Sequence, residues 1–148
     1  MDRIEEAVST LEEIMSGTHG NIMEQMGRSA KGELFILNFL SGKDAPVLPS
    51  EISEAMHTST ARISAALGSL EKKGQVHREI DTSNRRNILV TITEAGRERI
   101  RAIMAGMRGR IVRVLTEMGE RDAVEFVRLT KLFFEAAGRM YEDILSDA

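Results

Sequence analysis

Residues 58–93, TSTARISAALGSLEKKGQVHREIDTSNRRNILVTIT, constrain the fold most, because their apolar period changes once, at Gly74. Before that glycine, Ala61, Ile63, Ala66, Leu67 and Leu70 recur at helical steps, so one side of the stretch is expected to face a core while the other stays polar. Thr58 or Ser59 can cap this helix, since either hydroxyl accepts from an unpaired amide of the first turn. Lys72, Lys73 and Gly74 end it: cations suit the negative end of the helix dipole, and glycine tolerates a left-handed terminal residue. Beyond Gly74, Val76, Arg78 and Ile80 alternate with Gln75, His77 and Glu79, and Ile88, Val90 and Ile92 alternate with Leu89, Thr91 and Thr93. A period of two predicts two strands of a hairpin, joined by the wholly polar Asp81-Thr82-Ser83-Asn84-Arg85-Arg86.

A helix followed by a basic-tipped hairpin is the order of a winged helix-turn-helix, in which the helix enters a major groove and the hairpin tip reaches a neighbouring minor groove or the backbone. Ser59, Thr60, Arg62, Ser64, Ser69, Lys72 and Lys73 form the expected outward surface of the helix, and Arg85 and Arg86 the tip. A guanidinium at a hairpin tip bridges groove-edge acceptors and phosphate, and a narrow minor groove concentrates negative potential. Arg62 can bind guanine through paired hydrogen bonds, or pair with a nearby acid instead. The hydroxyls donate to phosphates or bases, or simply cap and solvate the helix. Lys72 and Lys73 are phosphate contacts or helix-end cations. Asp81 repels phosphate, so its expected role is to tether Arg85 or Arg86.

The flanking sequence supplies helices. Ile4, Val8, Leu11 and Met15 stripe an amphipathic helix over residues 2–15, broken at Gly17–Asn21. Ser29 can cap a helix whose Leu34, Phe35, Ile36, Leu37, Phe39 and Leu40 are apolar nearly all round, which places it at the centre. Pro49 sits where a first helical residue would, and 49–73 reads as helix, turn, helix. After a capping Thr93, a long helix carries Ile100, Met104, Met107, Ile111, Val114 and Met118 at alternating steps of four and three, the pattern of a helix seeking another helix. A last helix, about 120–145, presents Val124, Val127, Leu132, Phe133, Phe134, Met140 and Ile144, more apolar surface than a lone terminal helix buries. A homodimer packed through the terminal helices follows.

The expected fold is therefore mainly α with a small β-hairpin wing, a winged helix-turn-helix plus dimerisation helices. Residues 1–148 would form one domain, with a dimerisation helix in 1–28, the DNA-binding region in 29–93 and further dimerisation helices in 94–148.

Charge sharpens the reading. The net charge is −3, but residues 58–118 carry twelve cations against six carboxylates, whereas residues 1–57 carry four against ten and residues 119–148 four against seven. A basic middle between acidic ends is the kind of local field that steers a polyanion. The absence of cysteine removes disulfides, thiolate nucleophiles and zinc fingers together. His19, His57 and His77 stand in no ligand-spaced motif, so no metal is expected. With no paired carboxylates, phosphate-gripping glycine loop or nucleophile-base arrangement, neither an enzyme nor a cofactor is expected. The N-terminus lacks a basic head with an apolar run behind it, and no apolar stretch approaches the roughly 20 residues of a membrane span, so a cytoplasmic protein is expected.

On these residues the sequence resembles the MarR family of transcriptional regulators over nearly its whole length. Ser59, Ile63, Ser64, Leu70, Glu71 and Gly74 fall on the family pattern without a gap, and Asp81, Asn84, Arg85, Arg86, Thr93 and Gly96 occupy the positions of its wing pattern. The resemblance implies a homodimeric repressor of a roughly palindromic operator in double-stranded DNA, released by a small phenolic or amphipathic effector. It would place the effector pocket where the dimer helices meet the winged region, with Met15, His19, Met23 and Phe35 as candidates. Two departures stand out: Asn84 replaces an aspartate that usually helps hold the wing arginine, and Ala65 and Ser69 replace frequent arginines. Two rival readings stay open, a winged domain turned to protein binding and a small-ligand-binding protein without specific DNA binding.

Overall fold

The change of period at Gly74 is where helix gives way to strand. In a computed structural model that describes residues 2–18 and 32–147, the elements run α1 (Arg3–Thr18), α2 (Glu33–Ser41), α3 (Pro49–Met56), α4 (Thr60–Lys72), β1 (Val76–Ile80), β2 (Ile88–Ile92), α5 (Glu94–Met118) and α6 (Glu120–Ser146). Gly74 takes φ +70°, and its neighbours close the turn by Gln75 N–H donating to Leu70 O at 2.9 Å. Ser59 caps α4, its hydroxyl accepting from Arg62 N at 3.3 Å. Ser29, His19 and Met23 lie outside the described residues; α2 instead begins after Gly32, at φ +83° and with no side-chain cap.

The chain divides into two compact units, Asn21–Met104 and Met1–Gly20 with Ala105–Ala148. The expected C-terminal stretch 94–148 is thus shared, because the division falls within α5. In the first unit, Ile36, Leu37 and Leu40 of α2 pack with Ile52 of α3, Ile63, Ala66, Leu67 and Leu70 of α4, Val76 and Val90 of the hairpin and Ile100 of α5. The near-continuous apolarity of α2 is explained by this central position. Ala61, expected on the inner face of α4, is exposed. It sits too near the opposite side of the wheel from Ile63 and Leu70, and a single methyl exerts little pull on the helix.

Strands β1 and β2 pair antiparallel, with Val76 opposite Ile92, Arg78 opposite Val90 and Ile80 opposite Ile88. Only the base of the hairpin enters the core. Val90 is fully buried, whereas Ile80 and Ile88 are 63% and 42% exposed at the outer end. The stretch before Pro49 is more than a loop, because Val47 and Val90 exchange backbone hydrogen bonds at 3.0 and 2.8 Å and add a one-residue bridge to the hairpin. Thr93 joins hairpin to helix: its hydroxyl donates to Gly74 O at 2.6 Å and accepts from Gly96 N at 3.2 Å.

In the second unit, Ile4, Ala7 and Val8 of α1 pack with Leu115 of α5 and Ala123 and Val127 of α6. Leu115, one residue outside the expected stripe, is buried, whereas Val114 on that stripe is 59% exposed in the single chain. A helical step of three or four from Ile111 reaches either residue, and Leu115 is the one packed against α1 and α6. Along α6, Phe126, Leu129, Leu132, Phe133, Met140, Tyr141, Ile144 and Leu145 are all exposed in the single chain. No helix of the described residues is long and apolar enough to cross a membrane.

Candidate nucleic-acid interface

Helix α4 presents Ser59, Thr60, Ala61, Arg62, Ser64, Ala65 and Lys72 outward, opposite its buried Ile63, Ala66, Leu67 and Leu70. The amino end of α4 is set by the α3–α4 turn. There His57 adopts the left-handed conformation, φ +52°, while its N–H and that of Thr58 return to carbonyls of α3. An open depression of about 590 Å³ lined by Ser53, Glu54, His57, Thr58 and Ser59 marks this corner.

The hairpin tip is organised by its short polar side chains. Asp81 accepts from Ser83 N at 2.9 Å and Ser83 Oγ at 2.7 Å, and Asn84 Oδ1 accepts from Arg86 N at 3.3 Å. The Ser83 hydroxyl and amide hold the Asp81 carboxyl below its ordinary pKa. The expected tether from Asp81 to Arg85 or Arg86 is not formed: Asp81 spends its acceptors on the turn itself, two residues away, which needs no long side chain to be ordered. Asn84 supports the wing through the backbone of Arg86 and not through its guanidinium. Arg85 and Arg86 are exposed, and among the described residues neither side chain has an ion-pair or hydrogen-bond partner. The same holds for Arg62 and Lys72, so an acid does not claim Arg62.

Ser69 and Lys73 are placed differently. Both turn toward Glu33, the first residue of α2, which is 5% exposed. Glu33 Oε1 accepts from Ser69 Oγ at 2.6 Å and Lys73 Nζ at 3.0 Å, and Oε2 from Lys73 Nζ at 2.8 Å and Arg99 Nη1 at 3.1 Å. Burial alone would raise this carboxyl's pKa; the donors Lys73, Ser69 and Arg99 outweigh it and hold the value at about 2. Glu71, already on the family pattern, has a partner that sequence reading missed: it accepts from both the backbone and the side chain of Arg78. Its signal was available in retrospect, an acid and an arginine on either side of the Gly74 turn. That of Glu33 was one acid opening an otherwise apolar helix.

Of the residues named for an effector pocket, Met15 belongs to one unit and Phe35 to the other, where its ring stacks 6.3 Å from that of Phe39. Neither lines the α3–α4 depression or the cleft of about 280 Å³ formed by Thr10, Glu13, Ile14, Lys131, Phe134 and Glu135. Among the described residues, no group of three or more His, Cys, Asp or Glu could hold a metal ion.

Comparison with known proteins bears on this surface. Residues 33–111 match the family described as winged helix DNA-binding domain. The repressor MdtR of Bacillus subtilis, an HTH-type transcriptional repressor, is 27% identical over 115 residues, which cover 78% of this chain and 73% of MdtR. The fold is shared by MarR-family regulators of known structure. YusO of Bacillus subtilis superposes with a TM-score of 0.67 at 21% identity, over 86% of this chain and 89% of YusO. FabT of Streptococcus pneumoniae, solved in complex with DNA, superposes with a TM-score of 0.52 at 25% identity, over 76% of this chain and 75% of FabT.

Proposed function

Because the chain belongs to the winged helix DNA-binding domain family, we propose that it is a sequence-specific transcriptional regulator, a repressor that binds its operator as a homodimer. Each protomer lays α4 in a major groove and rests its hairpin tip on the adjoining minor groove or backbone. The two half-sites would then be centred about one helical turn, ~10 base pairs, apart or a multiple of it. The observation that carries this reading is a group of four exposed cations on the winged surface, Arg62 and Lys72 on α4 and Arg85 and Arg86 at the tip, that have no acidic partner among the described residues, in a chain whose net charge is −3. Cations left free in an acidic protein are poised for an external anion, and duplex DNA is the anion that fits a helix and a hairpin together. Repression is supported by the relative MdtR, itself a repressor. Self-association is supported by the exposed run from Phe126 to Leu145 on α6. Covering a Leu or Phe side chain stabilises by about 1.5–3 kcal/mol each, so an uncovered run of this size favours a second copy.

A mobility-shift assay against genomic fragments at two salt concentrations tests the proposal. A regulator enriches a few palindromic fragments, and its affinity falls steeply with salt as counterions are released. Uniform, sequence-blind binding, or none, would overturn it.

A further inference from the structure

Lys72 and Lys73 are adjacent, yet among the described residues only Lys73 is held by an acid. The Glu33 carboxylate that holds it is saturated, with two donors on each oxygen, and it draws those donors from the end of α4 and from α5. Arg99 extends the link by donating to Gln75 Oε1 at 2.6 Å, the residue that leads into β1. An apolar residue could fill the first turn of α2 without burying a charge. A buried carboxylate tied to two cations therefore points to a role in selecting one arrangement of the groups around it.

We propose that Glu33 is a positioning residue for DNA recognition: it withholds Ser69 and Lys73 from the phosphate backbone, so that α4 meets DNA through Ser59, Thr60, Arg62 and Ser64, with Lys72 at the far end. This inference rests on the DNA-binding function proposed above and deepens it. Phosphate contacts add affinity to every sequence alike, whereas base contacts discriminate. Tying one lysine and one hydroxyl inward lowers binding to bulk DNA while leaving the base-reading half of the helix unchanged. The protein would thereby gain discrimination by restraining part of its own charge.

The test uses the full chain and the variants E33Q, K73Q and E33Q/K73Q, each titrated with an enriched fragment and with a random-sequence duplex across a salt series. K73Q alone should leave the salt slope unchanged, because Lys73 is already engaged. E33Q should tighten binding to the random duplex and steepen the slope by about one unit, the contribution of one freed cation. The added K73Q should return that slope to the wild-type value. A merely structural role for Glu33 would weaken binding to both duplexes without steepening either slope, and this overturns the proposal. So does a K73Q slope flattened by about one unit, even if E33Q fails to fold. A DNA-free readout separates this inference from the reading beneath it: under limiting lysine acetylation, Lys73 should react more slowly than Lys72 in the wild type and catch up in E33Q. Equal rates in the wild type overturn the inference alone, whereas a wild-type chain with no salt-sensitive binding removes the regulator reading and the inference with it.

Discussion

Glu71 accepts twice from Arg78, once from the backbone amide through Oε2 and once from guanidinium Nη2 through Oε1, both at 3.2 Å. The pair spans the Gly74 turn and ties the last turn of α4 to β1. Arg78 Nη2 lies 3.8 Å from where a Cβ on Gly68 would stand, so the guanidinium rests on the helix surface. The hydrogen bond from Arg78 holds the Glu71 carboxyl below its ordinary pKa. A strand and a helix proposed to meet one DNA duplex together are thus clasped by one residue from each.

E71Q keeps the shape of that clasp and removes its charge. Partly exposed pairs contribute little to stability, so the urea midpoint should scarcely move while affinity for an operator fragment falls. A double-mutant cycle with R78K on that affinity would show strong coupling. Independent, additive losses would show that the clasp does not orient the wing.

R86A should weaken binding to every sequence and flatten the salt slope by about one unit, and R85A should do the same if both guanidiniums reach phosphate. Titration across a salt series reads this directly. An unchanged slope in R86A removes that residue from the contact surface.

Gly96 sits where helix α5 leaves the hairpin. A Cβ there would run into the carbonyl oxygen of Gln75 and stand 2.8 Å from Ile92 Cγ1. Backbone cannot yield as a side-chain tip can, so G96A should cost about 1–3 kcal/mol of unfolding free energy, measured by urea denaturation. A neutral G96A would mean that α5 shifts freely against the strands.

Glu33 makes acid stability predictable. Its pKa falls from an ordinary 4.5 to about 2 on folding, so the unfolded chain binds the proton more tightly. The associated stabilisation, about 3 kcal/mol, is present above pH 4.5 and lost as the pH falls toward 2. The stability gap between wild type and E33Q, taken from urea unfolding at pH 7, 4 and 2.5, should narrow in that order. A gap that stays constant would show that the carboxylate charge contributes nothing.

F133E or L145E places a charge on the exposed stripe of α6, where Phe133 and Leu145 are 69% and 72% exposed. Sedimentation should show the wild type as a dimer and either variant shifted toward monomer, with cooperative operator binding lost alongside. A wild-type monomer would end the homodimer proposal.

Local sequence carried the helices, the hairpin and its polar tip, because period and capping are properties of neighbouring residues. Pro49, Ser59 and Thr93 all stand at the helix starts expected of them. What was not legible depends on groups far apart in the chain. Glu33 meets Ser69, Lys73 and Arg99 across separations of 36 to 66 residues, and no local pattern announces a partner at that distance. The burial of Leu115 was settled by what packs opposite, whereas the exposure of Ala61 was already legible in its place on the wheel, opposite Ile63 and Leu70. Asp81 misled because its charge suggested an arginine, when a serine two residues on was the nearer donor.

The bridge between Val47 and Val90 gives the hairpin a fixed root and leaves its outer half, from the Ile80–Ile88 pair to Arg86, projecting unsupported among the described residues. A beam clamped at one end magnifies at its tip whatever small displacement occurs at the clamp. On the proposed function, side chains around Val47 set where the terminal guanidiniums land on the operator, and changes there should retune operator choice without touching a single cation.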